Sequence, residues 1–159
     1  MSGRVLIACE FSGVVRRAFA ARGFDAWSCD LLQAEDCSNR HIVGDARDIL
    51  DNGWDLLVAH PPCTRLCNSG VRWLSSPPPA QSVQPWQFGH GETKRSCLWL
   101  KGLPPLRPTH IVEGREPRVH RLPPSPDRWK ERSRFFPGIA AAMAEQWGDA
   151  IIRERSAAA

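Results

Sequence analysis

The sequence predicts an α/β fold, a doubly wound and mostly parallel sheet within a single domain. Three observations lead there. Apolar runs of strand length begin at residues 4, 25, 41 and 54. A helical stretch at 14–22 separates the first two runs, and a shorter one at 46–50 follows the third. The first three runs also stop in turns that contain glycine or an acid. Strands alternating with helices at such intervals form parallel sheets joined by crossovers.

Taken in order, residues 4–9 read as a buried strand and Phe11-Ser12-Gly13 as a tight turn. Val14, Val15, Ala18 and Phe19 recur at helical spacing over 14–22, and Gly23 stops that helix. Residues 25–29 form a second strand ending in Asp30, and residues 41–43 a third ending at Gly44-Asp45. A short helix covers 46–50, and 54–59 is the fourth strand. The pattern then breaks. Ser75-Ser76-Pro77-Pro78-Pro79-Ala80 has no capacity for a packed element, so 75–83 is read as a linker between residues 1–74 and residues 84–159 of the same domain. Beyond it lie one more strand at 96–100, a proline-rich irregular stretch at 103–126 and a final helix at 138–153. That helix carries Ile139, Met143, Trp147, Ala150 and Ile151 on its apolar face.

A chain of 159 residues is long enough for one domain with a real core. No run is long enough to cross a bilayer, and the first residues carry no signal-peptide pattern, so a soluble cytoplasmic protein is expected. Of the six cysteines, Cys9, Cys29 and Cys97 sit in apolar strand-like runs and read as reduced core residues rather than a disulfide framework. Charge is uneven. Eight basic and nine acidic side chains leave residues 1–80 at −1, whereas thirteen and eight leave residues 81–159 at +5. The excess gathers at 115–134, where Arg115, Arg118, Arg121, Arg128, Lys130, Arg132 and Arg134 are interrupted by prolines and Trp129. Such a stretch suits a nucleic-acid backbone, with Arg128, Lys130 and Arg132 as its contacts, or is a solvated basic surface.

The chemistry concentrates at the strand ends. A glycine turn between strand and helix lets a ligand approach the backbone, and an acid closing the second strand can accept from ribose hydroxyls. A further acid one strand along can accept from an exocyclic amine. Phe11, Ser12, Gly13, Asp30 and Asp45 therefore describe a site for an adenosine-containing cofactor, with helix capping by Asp30 or Asp45 as the alternative. The turn holds one glycine, so the Gly-x-Gly-x-x-Gly dinucleotide fingerprint is absent. The fourth strand runs into His60-Pro61-Pro62-Cys63, which places a thiol just beyond a buried strand as a candidate nucleophile. The alternatives for Cys63 are an inert thiol or, with His60 and Cys67, part of a zinc site that lacks a second ligand pair.

In this order, Phe11-Ser12-Gly13, Asp30, Gly44-Asp45 and Pro61-Pro62-Cys63 followed by Gly70 resemble the N-terminal half of a cytosine-5 DNA methyltransferase. The resemblance spans residues 4–74 and is nearest to small phage-type or prophage-type members. It implies a Rossmann-like fold of the class I S-adenosylmethionine-dependent type in abridged form, in a bacterial or phage-infected cytoplasm. It further implies S-adenosylmethionine held by Phe11, Ser12, Gly13, Asp30, Asp45 and Pro61. Cys63, preceded by Pro62, becomes the nucleophile that adds to carbon 6 of the pyrimidine. Phe88-Gly89-His90-Gly91-Glu92-Thr93-Lys94-Arg95 resembles the family's Phe-Gly-x-x-Gln-x-Arg-x-Arg segment and adds Lys94 and Arg95 to the catalytic set. Arg65 and Arg72, with Trp73, fall on the segment after the cysteine, where a base-flipping loop would contact DNA.

Two family features are missing. No Glu-Asn dipeptide occurs, although the family uses that Glu to hold the ring, and a short proline linker replaces the target-recognition domain. Glu92, Glu113 and Glu116 are the available substitutes. Recognition would then come from a homodimer or a partner chain. The competing readings are a degenerate methylase that binds cofactor or nucleic acid without turnover, and an enzyme acting on a free pyrimidine nucleotide. An amino-methyltransferase is disfavoured, because His60 precedes Pro-Pro and a cysteine follows it.

Overall fold

The computed structural model describes residues 3–61 and 78–157. They belong to two compact units, Met1–Pro78 and Pro79–Ala159, and the boundary falls inside the expected linker. Among the described residues no helix is long and apolar enough to cross a membrane.

The first unit contains β1 (Arg4–Ala8), α1 (Val14–Ala21), β2 (Asp25–Asp30), β3 (His41–Val43) and β4 (Leu56–Ala59), with a 3-10 turn at Ala46–Ile49. All four strands are parallel and lie in the order β3-β2-β1-β4. This is the α/β sheet the alternation predicts, and the order is compatible with a Rossmann-like fold. The chain switches direction across the sheet between β1 and β4, and in such sheets ligands bind beyond the strand ends at that point. Val5, Leu6 and Ile7 are all fully buried, and neighbouring side chains on a strand face opposite ways, so β1 is covered on both faces.

α1 buries Val15 and Phe19 and packs on β1 and β2. Its end is a Schellman motif: Gly23 N–H donates to Ala20 O at 2.9 Å and Phe24 N–H to Phe19 O at 3.3 Å. The Phe24 ring completes the motif by meeting Phe19 edge-on at 5.7 Å.

In three places the elements depart from the sequence reading by more than one residue or in type, or for an evident physical reason. β1 stops at Ala8 because Cys9 adopts φ 58, a left-handed conformation that turns the chain out of the strand. β4 starts at Leu56 because Trp54 belongs to the preceding turn, where its Nε1–H donates to Ile49 O at 2.7 Å and Arg4 lies over its ring. The expected helix at 46–50 is the single 3-10 turn. The core assignment of cysteines holds for Cys29, which is fully buried, but Cys9 and Cys97 are partly exposed.

The second unit contains β5 (Gln81–Val83), β6 (Ser96–Leu98), α2 (Arg128–Ser133) and α3 (Pro137–Ala157). The expected strand at 96–100 is present as β6, but its partner is β5, in an antiparallel ladder inside the stretch read as linker. α2, also unforeseen, forms within the basic segment. α3 runs four residues past the expected end, since Glu154, Arg155 and Ala157 all favour helix. Its buried stripe, Ile139, Met143, Trp147 and Ile151, has the four-residue spacing of one helical face. The irregular stretch before it is pinned by two glutamine amides. Gln81 donates to Leu106 O and accepts from Leu106 N–H; Gln146 does the same with Arg107. Trp147 Nε1–H adds a bond to Pro104 O at 2.9 Å.

α3 begins under tight constraint. Gly138 N–H donates to His90 Nε2 at 2.9 Å, and a Cβ at Gly138 would run into the Phe88 carbonyl oxygen. Gly138→Ala is therefore expected to destabilise the protein by about 1–3 kcal/mol in denaturant unfolding. Gly44→Ala, which meets nothing within 4 Å, is the control and is expected to be neutral or slightly stabilising.

Candidate functional site at the ends of the parallel strands

The ends of β1, β2 and β3 lie side by side, because Ala8 is in register with Cys29 and Asp30 with Val43. The segments just past them, 9–13, Asp30 and Gly44-Asp45, therefore sit along one edge of the sheet. Asp30 and Asp45 are near enough to Cys9 for their charges to act on its thiol. The sequence singled out these segments and did not single out Glu10, which lies among them.

Gly13 is the N-cap of α1 and has no side chain to offer the helix's first amide groups, which need acceptors. Glu10 supplies them. Its Oε1 accepts from Val15 N–H at 2.7 Å and its Oε2 from Arg16 N–H at 3.2 Å, while the Ser12 hydroxyl donates to Oε1 at 3.4 Å. Glu10 as a whole is 4% exposed. Burial pushes its pKa up; the two amides, the Arg16 charge and Ser12 oppose that without cancelling it. The signal in the sequence was a negative one, a helix start with no Ser, Thr, Asp or Asn at its cap position.

Gly13 itself has φ 67, and a Cβ there would press on Arg16 Nη2, Arg17 Nη1 and Asp36 Oδ2 at 2.7–2.9 Å. Arg16, whose side chain is 6% exposed, pairs with Asp36, and Arg17 reaches the same oxygen at 2.5 Å and the Ser12 carbonyl at 3.2 Å. Burial raises the Asp36 pKa, but the bonds and charges of Arg17 and Arg16 outweigh it and hold the carboxyl below its usual range.

The two flanking acids differ. Asp30 Oδ1 accepts from Leu32 N–H at 2.9 Å, its one side-chain hydrogen bond among the described residues, which leaves Oδ2 without one. Asp45 is fully engaged: it caps the 3-10 turn through Arg47 N–H at 2.9 Å and takes the Arg47 guanidinium on both oxygens. Those bonds lower its pKa to about 2. The capping role weighed for Asp45 is thus present, and an amine could replace Arg47 there, since that side chain is 85% exposed. Burial, then the nearby charges of Asp30 and Asp45, push the Cys9 thiol up and keep it protonated.

The remaining expected residues divide among three places. Pro61 follows β4 and is exposed; Pro62, Cys63, Arg65 and Arg72 lie outside the described residues, as do Cys67, Gly70 and Trp73. In the second unit, Lys94 Nζ donates to Arg134 O at 2.8 Å and lies over Phe136, and Arg95 donates to Ser82 Oγ at 3.0 and 3.1 Å. Arg132 is exposed, Lys130 pairs with Asp127 at 3.3 Å, and Arg128 is half-buried. Of the three substitute carboxylates, Glu113 and Glu116 are exposed, whereas Glu92 takes Arg118 on Oε1 and has Oε2 shielded from solvent.

No protein-family model matches the chain, and neither a curated protein nor a solved structure does.

The Glu10 environment carries its own test. A carboxyl whose folded pKa is raised contributes its stability below the unfolded value of 4.5 and loses it as pH climbs through the folded value. Glu10→Gln keeps one acceptor oxygen and removes the titration, so that its stability relative to wild type is expected to rise as pH climbs above about 4.5 in thermal unfolding. Glu10→Ala leaves two amides without acceptors and is expected to cost about 1–2 kcal/mol near pH 4.5 and less as pH rises, because wild type alone loses stability there.

Proposed function

We propose that the chain is an S-adenosylmethionine-dependent methyltransferase acting on carbon 5 of cytosine in DNA. The observation that carries this reading is Glu10 beneath α1. Dinucleotide and phosphate sites of parallel α/β sheets place the ligand's anion on the first helix's free amides. Here a buried carboxylate already accepts from two of them. A phosphate at that spot would meet like charge. A nucleoside that lacks phosphate and bears a cation meets the opposite: Glu10, Asp30 and Asp45 give the strand ends an acidic character. The donor set fits such a group, with Asp30 Oδ2 for a ribose hydroxyl, Asp45 for an amine and the Phe11-Ser12-Gly13 backbone for the chain beyond the ribose.

When bound, the cofactor supplies a methyl group on a positively charged sulfur. The chain's own part is nucleophilic. Cys63 would add as thiolate to carbon 6 of the ring, which makes carbon 5 electron-rich, and a base would later remove its proton. The Cys9 thiol, held protonated by burial and by Asp30 and Asp45, is no competitor for that role.

A second reading, cofactor binding without turnover, is favoured by the second unit. Lys94 and Arg95, which the resemblance adds to the catalytic set, are engaged with Arg134 O and Ser82 Oγ, and the Glu-Asn motif is missing.

Transfer of label from methyl-labelled S-adenosylmethionine separates the two. Methylation of DNA is expected from wild type and a loss on the order of a thousandfold from Cys63→Ser. Binding without transfer to DNA or to a free cytosine nucleotide would establish the second reading, and transfer to the nucleotide alone would change the substrate. Reversing charge at Arg128, Lys130 and Arg132 is expected to weaken DNA binding and lower its salt slope by about 1–3, measured by fluorescence anisotropy.

A further inference from the structure

We propose that His41 is a positioning residue, whose imidazole fixes the Asp30–Leu32 turn so that Asp30 Oδ2 stays presented to a ribose hydroxyl. This rests on the nucleoside-cofactor reading above. His41 opens β3 directly beside Ser28 of β2, with which it is in register. Its ring spans two elements: Nδ1 lies 2.8 Å from Ser28 Oγ, and Nε2 lies 2.9 Å from the Leu32 carbonyl oxygen. The partners define the tautomer. A carbonyl only accepts, so Nε2 carries the hydrogen, and Nδ1 takes the hydroxyl hydrogen of Ser28. Ser28 is fully buried, and its hydroxyl needs such an acceptor.

The consequence falls on Leu32. Its N–H is held by Asp30 Oδ1 and its carbonyl by His41, so the turn is clamped on both sides of one residue. Asp30 is also tied at its main chain, where its carbonyl accepts from Gly44 N–H at 2.9 Å. Packing contributes little, since Leu31 is 75% and Leu32 41% exposed. A turn whose apolar side chains face solvent depends on its hydrogen bonds, and His41 supplies the side-chain bond that reaches Leu32 from outside the turn. Without it, Asp30 keeps its charge but loses a fixed direction for Oδ2, and a preorganised acceptor becomes a mobile one.

The test is calorimetric titration of the full chain with S-adenosylhomocysteine. Asp30→Ala is expected to weaken binding, and His41→Ala to weaken it about fivefold to tenfold, the worth of one positioned hydrogen bond. His41→Gln keeps a donor at the Nε2 position and is expected to bind within about threefold of wild type, whereas His41→Asn reaches only the Nδ1 position and is expected to resemble alanine. The double variant with Asp30→Ala is expected to bind no more weakly than Asp30→Ala alone, because His41 acts through that carboxylate. Equal affinities for the Gln and Asn variants, additivity in the double variant, or wild-type affinity in His41→Ala would overturn the proposal while leaving the cofactor reading intact. If His41→Ala does not fold, the Gln and Asn pair decides. Failure of wild type to bind, or indifference to Asp30→Ala, would remove the cofactor reading and this inference with it.

Discussion

A carboxylate set beneath the first turn of a helix is the constraint on which the first unit turns. Glu10 reaches that position because Cys9 breaks β1 with a left-handed residue, an unfavourable conformation for a side chain other than glycine, asparagine or aspartate. Gly13 then allows the sharp entry into α1, and its missing side chain leaves the helix amides for Glu10. Each of the three residues is costly alone. Burying a carboxylate disfavours its charged form, yet two amide donors, a hydroxyl and the Arg16 guanidinium surround it. The strain at Cys9 and the burial at Glu10 are thus parts of one arrangement.

That arrangement also sets the electrostatics of the strand ends. In parallel sheets of this kind the first helix normally lends its positive end to a ligand's phosphate. Here the protein supplies the anion, and Asp30 and Asp45 add two more at the neighbouring strands. Three arginines near these strand ends pair with acids: Arg16 and Arg17 with Asp36, and Arg47 with Asp45. The Asp30 oxygen not used by Leu32 is the acceptor in this row without a hydrogen bond among the described residues. A cofactor suited to the row carries hydroxyls and a cation.

Much of this was legible in residue order. The strands at 25, 41 and 96, the helix at 14 and the buried stripe of α3 follow from apolar spacing, which tertiary packing respects. Asp30 and Asp45 were visible as acids at strand ends. Glu10 was not, because its role depends on what Gly13 lacks, and a rule that searches for a capping side chain at the cap position passes over one three residues earlier. β5 escaped for a similar reason: Gln81-Ser82-Val83 is short and follows a proline run, and its pairing with β6 is a long-range contact without a local signature. Pairing partners were equally hidden: nothing local in the sequence shows that Lys94 meets Arg134 O or that Arg95 meets Ser82 Oγ.

The central claim concerns which ligand the strand ends accept, and a comparison of two ligands on the full chain tests it most directly. Isothermal titration with S-adenosylhomocysteine and, separately, with ADP uses the same adenosine with and without phosphate. Saturable binding of the first and none of the second is the predicted result. Binding of ADP in preference to S-adenosylhomocysteine would mean that the α1 amides are available to a phosphate after all, and would contradict the role assigned to Glu10.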